Sequence, residues 1–271
     1  MSIADVMMMR RTGRIERTLA AATVVVIVLA YAVPAEPGQS SPLAQSQQMP
    51  APPSQATSTM GDDEVAHPFF THMGMPEGVG VYSLRLGGLS RREDGGNTGD
   101  FAFHFETGVT DSIGLHVRND NFRDMPRTEV MFQFAVGKSR DGMSGWGPLI
   151  EFEIPTRPGG DRIETLVGAA ATLANPGAAF NYVVHYNPRM DMVDGSGALV
   201  VKLGTRWFPV MEVLGSAGAD ERPVMTLLAG LKVQVNKVVV LGFAWQVPVT
   251  SNKEFSSQLV FQPDFGWTRL R

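Results

Sequence analysis

From about residue 80 to the C-terminus, apolar and polar positions alternate with period two. Phe101, Phe103 and Phe105 alternate with Ala102, His104 and Glu106, and Ile113, Leu115 and Val117 with Gly114, His116 and Arg118. Val130, Phe132, Phe134 and Val136 alternate with Met131, Gln133 and Ala135. Ile150, Phe152 and Ile154 flank Glu151 and Glu153, and Phe180, Tyr182, Val184 and Tyr186 flank Asn181, Val183 and His185. Leu199, Val201 and Leu203 alternate with Val200 and Lys202, and Leu231, Val233 and Val235 with Lys232 and Gln234. Val239, Leu241, Phe243, Trp245 and Val247 share one face opposite Gly242, Ala244 and Gln246; Leu259 and Phe261 stand opposite Gln258 and Gln262. Such alternation predicts antiparallel strands with one greasy face and one face of ionisable groups. Twelve strands are expected, at 80–90, 99–108, 112–119, 128–138, 147–156, 161–173, 179–187, 197–206, 208–215, 223–235, 238–249 and 255–267. Glycine, Asp, Asn and Ser clusters mark the turns between them: Gly95-Gly96-Asn97, Thr110-Asp111-Ser112, Pro158-Gly159-Gly160-Asp161, Asp194-Gly195-Ser196-Gly197, Asn236-Lys237 and Ser251-Asn252-Lys253. Glu164–Ala174 is rich in Ala and Leu but reads as strand from its neighbours.

Two architectures satisfy this pattern. A soluble barrel or sandwich buries the apolar face; a membrane barrel turns it to lipid and keeps the charges inside. Only a closed barrel satisfies the backbone hydrogen bonds of strands in lipid. An even strand count, strands near ten residues and short turns alternating with longer loops favour an antiparallel transmembrane β-barrel of about 12 strands. Tyr82, Trp207, Phe208, Trp245, Phe265 and Trp267 are the candidates for an interfacial aromatic belt. The chain ends Trp267-Thr268-Arg269-Leu270-Arg271, so the aromatic that many such barrels carry at the terminus stands further in. The alternative is a soluble or signal-anchored periplasmic barrel binding an apolar ligand.

The front of the chain points to export. Arg10, Arg11, Arg14 and Arg17 precede an apolar run from Leu19 to Ala32, shorter than the about 20 residues of a spanning helix. Small residues at Ala30, Ala32 and Ala35 offer cleavage sites, so residues 1–35 read as a signal peptide. Residues 36–66, rich in Pro, Ser, Gln and Ala and without apolar periodicity, read as a disordered linker. Residues 67–271 then form the barrel domain, in the outer membrane of a Gram-negative-type envelope. The chain has no cysteine, which excludes disulfides, thiolate metal sites and a lipoprotein anchor. Its net charge is −4, and loss of residues 1–35 would remove four Arg and only two acids. A nucleic-acid partner is not expected. The expected partners are the lipid bilayer, a small-molecule solute and the barrel-assembly machinery.

With the apolar face outward, the inward set is Arg85, His104, Glu106, His116, Arg118, Glu129, Gln133, Glu151, Glu153, His185, Lys202, Glu212, Lys232, Gln234 and Gln246. These residues either line a polar path or fill the interior with ion pairs and hydrogen bonds. His67-Pro68-Phe69-Phe70-Thr71-His72-Met73-Gly74-Met75-Pro76 holds two His and two Met, a donor set that suits copper. Its spacing matches no ligand pattern, and the segment reads instead as one that enters the barrel and plugs or rims it. No metal, cofactor or catalytic residue is assigned. A lipid-modifying enzyme is a third reading, disfavoured by the lack of Gly-x-Ser-x-Gly, a phosphate loop or His-Glu-x-x-His.

Residues 230–267 carry a resemblance. An apolar strand, the Asn236-Lys237 turn, a strand ending Gly242-Phe243-Ala244-Trp245-Gln246-Val247-Pro248-Val249, a Ser-Asn-Lys-Glu-Phe connection and a closing strand follow one another. This stretch resembles the transporter-like outer-membrane barrels associated with meta-pathway phenol degradation. The resemblance implies an antiparallel barrel and passage of small, often hydrophobic, molecules.

Overall fold

The alternating pattern folds into a ring of antiparallel strands with its greasy side out. The structure is a computed structural model and describes residues 65–93, 95–120, 122, 127–156, 162–219, 222–252 and 255–268. The expected signal peptide, the linker up to residue 64 and the 158–161 turn lie outside the described residues. The strands are β1 (Val81–Glu93), β2 (Gly96–Thr110), β3 (Ile113–Asn119), β4 (Arg127–Phe134), β5 (Gly137–Lys138), β6 (Gly145–Pro155) and β7 (Glu164–Asn175). They continue with β8 (Ala178–Asn187), β9 (Met192–Val201), β10 (Trp207–Gly218), β11 (Val224–Gln234), β12 (Val239–Pro248) and β13 (Ser257–Thr268). Sequence neighbours pair throughout, β13 returns to β1, and β4 pairs directly with β6. The result is a closed antiparallel barrel of twelve strands, with the two-residue β5 as a spur on β6.

Exposure decides which way the wall faces. Phe243, Trp245 and Leu259 are 57%, 56% and 60% exposed, while Gln246 and Gln258, on the alternate positions, are 6% and 3% exposed. The pairs Phe243↔Phe261 and Trp245↔Leu259 make this outer row continuous across β12 and β13. Phe103 and Phe105 on β2 point the same way, between the buried His104 and Glu106. This is the inverted patterning of a transmembrane barrel, since an apolar surface of this extent faces lipid rather than water. The reading as a soluble barrel with a greasy core is set aside on that ground.

Twelve predicted strands have observed counterparts, with three local differences. The strand expected at 128–138 breaks at Ala135-Val136 into β4 and β5. There the backbones crowd: a Cβ on Gly147 would lie 1.4 Å from the Phe134 carbonyl oxygen, so only glycine lets β6 pass. The strand expected at 197–206 is shifted forward as β9, and Asp194-Gly195-Ser196-Gly197 runs through it rather than turning. The turn lies at residues 188–191, where the Asn187 side-chain oxygen accepts the N–H groups of Arg189 and Met190 and Asp191 adopts φ 51°. Phe208, expected among the interfacial aromatics, points inward and is fully buried; its neighbour Trp207 takes the outer face, because successive strand residues alternate.

The two rims differ. Both the start of β1 and the end of β13 lie at the rim that also carries the tight connections at 111–112 and 176–177. On its outer surface Tyr82 stacks on Trp267 with ring centroids 5.9 Å apart. At the opposite rim several successive strand ends stand further apart in sequence, among them Pro155 and Glu164, and Pro248 and Ser257.

Candidate functional site

The barrel interior holds the polar face and a loop of the chain's own N-terminal part. Residues 65–67 lie at the short-turn rim, residues 69–72 reach the middle of the barrel, and residues 74–80 return to the same rim before β1. Val65 and Ala66, at the end of the stretch read as linker, are buried against the wall with Phe69. On the return limb, Gly74 lies directly on the β7 backbone at Ala171, and Pro76 lies against Gly114. A parallel bridge from Val79 to Gly108 ends the loop.

The loop is held mainly through its backbone. Glu212 on β10 accepts from the N–H groups of Phe69, Phe70 (3.1 Å) and Thr71 (3.0 Å) and from the Thr71 hydroxyl (3.0 Å). The Pro68 carbonyl accepts from Arg85 Nη1 (3.1 Å) and Lys232 Nζ (3.0 Å). Gln262 donates to the Phe69 carbonyl (3.1 Å), Gln133 to the Met73 carbonyl (2.5 Å), and the Gly74 N–H donates to Thr172 (2.6 Å). Lys232 is also paired with Asp264 at 2.6 Å and stands 4.7 Å above the Phe69 ring. Gly230 and Gly242 open the slot for that ring: a Cβ on either would sit 2.6 or 2.7 Å from its carbons. Leu228, Val210 and Val260 complete an apolar patch around it.

The inward residues expected from the sequence occupy the inner face. Arg85, His104, Glu106, His116, Gln133, Glu151, His185, Glu212, Lys232 and Gln246 are buried there, and Arg118, Glu129, Glu153 and Gln234 are half-buried. They fall into groups. Arg85 pairs with Glu106, whose Oε1 also lies 3.0 Å from His104 Nε2 and 3.3 Å from His116 Nδ1. Arg118 pairs with Glu129, and His185 approaches Glu151 at 3.5 Å. Gln246 donates to Thr226 and accepts from Gln258. Lys202 is half-buried just beyond the end of β9, where its backbone N–H donates to the Gly177 carbonyl at the short-turn rim.

Other participants escaped the sequence reading. Arg127 bridges Glu153 (2.9 Å) and Glu164 (3.0 Å), and Asn187 donates to Glu164. Asp264 lies two positions beyond Gln262, and the same alternation would have found it. Arg127 stands two positions before Glu129 and Asn187 two beyond His185, so the same alternation reaches them at the strand ends; Glu164 opens β7. His72 is the main omission as an interior residue: its ring packs edge-on against His104, His116 and His185, with centroids 5.1, 5.4 and 6.1 Å away.

Two loop histidines differ in charge. Burial holds His72 well below its ordinary pKa, so it is neutral. Burial also opposes a charge on His67, but the carboxylates of Glu106 (3.5 Å) and Glu77 (3.2 Å) outweigh it and raise its pKa to about 10. His67 Nε2 lies 3.2 Å from Glu77, so one ion pair joins the outgoing and returning limbs of the loop.

No family model and no curated protein matches the chain. Among solved structures, an outer membrane channel from Pseudomonas putida F1 is similar with a TM-score of 0.54 at 8% identity, over 74% of this chain and 100% of that one. The NanC porin gives a TM-score of 0.47 at 8% identity, over 70% and 100% of the two chains. A monoaromatic hydrocarbon channel, CymD, gives 0.40 at 10% identity, over 73% and 90%. The first likeness shows that this chain has the fold of a twelve-stranded outer-membrane barrel.

Proposed function

We propose that this protein is an outer-membrane channel for small solutes, held shut by the loop at residues 65–80. The observation that carries the reading is how the loop is seated. Carboxylate, ammonium and amide side chains of the wall bind its backbone inside the barrel. Each of these contacts can be exchanged for water, so the loop can leave without unfolding the wall. What remains is a narrow passage with Arg85, Glu106, Arg118, Glu151 and Lys232 on its sides and an apolar strip at Phe208, Val210, Leu228 and Val260. That mixture suits small molecules with an apolar part, in keeping with the resemblance to phenol-pathway transporter-like barrels. The charged side chains set preference by their fields, with no cofactor or energy input.

The test is permeation. Proteoliposomes holding the full-length protein should swell slowly in a small sugar or a neutral aromatic alcohol. A variant lacking residues 67–76 should admit both quickly. If the deletion variant folds, as judged by a mobility shift on heating, and still admits neither, the channel reading fails.

A further inference from the structure

We propose that His72 of the inserted loop, together with His116 and Glu106 of the wall, binds a divalent transition-metal ion of the zinc class and so ties the loop to the barrel. Residues 67–76 alone offer no ligand pattern; the partners come from β2 and β3, brought to the loop only by folding. One donor atom each from His72, His104, Glu106 and His116 lies within 4.8 Å of all the others. Glu106 Oε1 and His116 Nδ1 are 3.3 Å apart. In a tetrahedral site with bonds near 2.0–2.1 Å, ligand atoms stand roughly 3.4 Å apart.

The hydrogen bonds fix which atoms are free to ligate. Gln133 donates its amide N–H to the Met73 carbonyl, so its Oε1 faces His116 Nε2 at 3.0 Å as an acceptor. His116 therefore carries its hydrogen on Nε2 and turns the Nδ1 lone pair toward Glu106. A carbonyl oxygen on the far nitrogen is the usual outer partner of a metal-binding imidazole. His104 has the opposite tautomer. Arg85 Nη2, which can only donate, lies 2.7 Å from its Nδ1 and 3.4 Å from its Nε2; the nearer nitrogen accepts, so the hydrogen sits on Nε2, 3.0 Å from Glu106 Oε1 and 3.3 Å from His116 Nδ1, a contact that a metal ion on His116 Nδ1 would replace. His104 is thus a positioning residue that orients the carboxylate. The independent observation is His72. It is 1% exposed, and neither ring nitrogen has a hydrogen-bond partner among the described residues. An imidazole buried so completely with both nitrogens unpaired is costly, and ligation satisfies one of them. Two imidazoles and one carboxylate suit zinc, copper or nickel and not calcium or magnesium, which need several oxygens. Arg85 and the charged His67, both on Glu106, oppose the ion's charge and limit its affinity.

The experiment uses the full chain in detergent and requires no transport. The protein is refolded from denaturant with zinc chloride, passed through a desalting column and assayed for zinc by mass spectrometry. About one zinc per chain should be retained, with magnesium chloride giving no bound metal. His72→Ala should lose at least nine-tenths of the zinc while keeping the mobility shift on heating. His72→Gln replaces it if the alanine variant does not fold. His185→Ala, whose ring also packs on His72, should retain zinc. Zinc should raise the temperature of the mobility shift in the parent and not in the His72 variants. No retained zinc in the parent, or equal retention in the folded His72 variants, overturns the site.

Discussion

Glu212 accepts more of the described hydrogen bonds from the loop than any other wall side chain. It gathers three consecutive N–H groups and one hydroxyl of the loop onto one carboxylate. Hydrogen bonds to a charged group contribute about 1.5–3 kcal/mol each, and they are not additive here because they share one acceptor group. Glu212→Ala should shift the loop toward the unseated state by on the order of tenfold or more. Single-channel recordings in planar bilayers should show longer or more frequent openings, with the heat shift of the barrel unchanged; a silent variant with an intact barrel would remove Glu212 from gating. Glu212→Gln keeps one acceptor oxygen and should fall between. His67 supplies a pH dependence. Burial lowers its pKa, but the carboxylates of Glu106 and Glu77 beside it prevail and raise it above the ordinary 6.5 to about 10. The charged form is therefore favoured in the seated loop. Its contribution is fully present below about pH 6.5 and is lost as pH rises through about 10. Openings should become more frequent between pH 8 and pH 10.5, and His67→Gln should flatten the response in that window.

At the level of elements, the paired glycines of β11 and β12 show how a strand makes room for the loop. Gly230 and Gly242 both face inward, and the Phe69 ring fills the space where side chains would stand. Gly242→Val places a branched Cβ into that ring, whose nearest carbon lies 2.7 Å from the new atom. The ring must leave the slot, so solute uptake by proteoliposomes should rise several-fold; unchanged uptake with a folded barrel would mean the ring is not a lock. Much of this element structure is legible in the sequence. Period two set Phe103, Phe105, Phe243 and Trp245 on one face and His104, Glu106 and Gln246 on the other, since register fixes every side chain at once, while the export signal at the front of the chain favoured the greasy face as the outer one. Asp194-Gly195-Ser196-Gly197 misled because turn residues are also the small polar residues a crowded barrel interior tolerates. The real turn was marked instead by Asn187-Pro188, a pair that favours turn initiation. The loop's seat was not legible. Phe69 meets Gly242 and Thr71 meets Glu212 across more than a hundred residues of chain, and no local pattern encodes such contacts.

For the whole molecule, the wall separates two solvents, and single charges on its two faces should have opposite consequences. Phe243 stands in mid-strand on the outer face, ring to ring with Phe261 at a centroid distance of 4.8 Å. Arginine at such a position costs about 2–4 kcal/mol at the bilayer midplane, falling toward zero near the interfaces. Glu151 occupies the inner face of β6 and is 2% exposed, beside His185. Glu151→Gln keeps its size and its capacity to accept a hydrogen bond, so the barrel should insert as the parent does. Phe243→Arg should insert poorly, leaving most of the protein as a form without a heat shift when refolded into lipid vesicles. The same Phe243→Arg protein should recover in detergent micelles, which adapt to a charged surface more readily than a bilayer. That recovery separates a lipid-facing defect from a core defect, because a core residue replaced by arginine would fail in both. If Phe243→Arg inserted normally while Glu151→Gln failed in lipid and detergent alike, the apolar rows would be a core and the face assignment would be reversed.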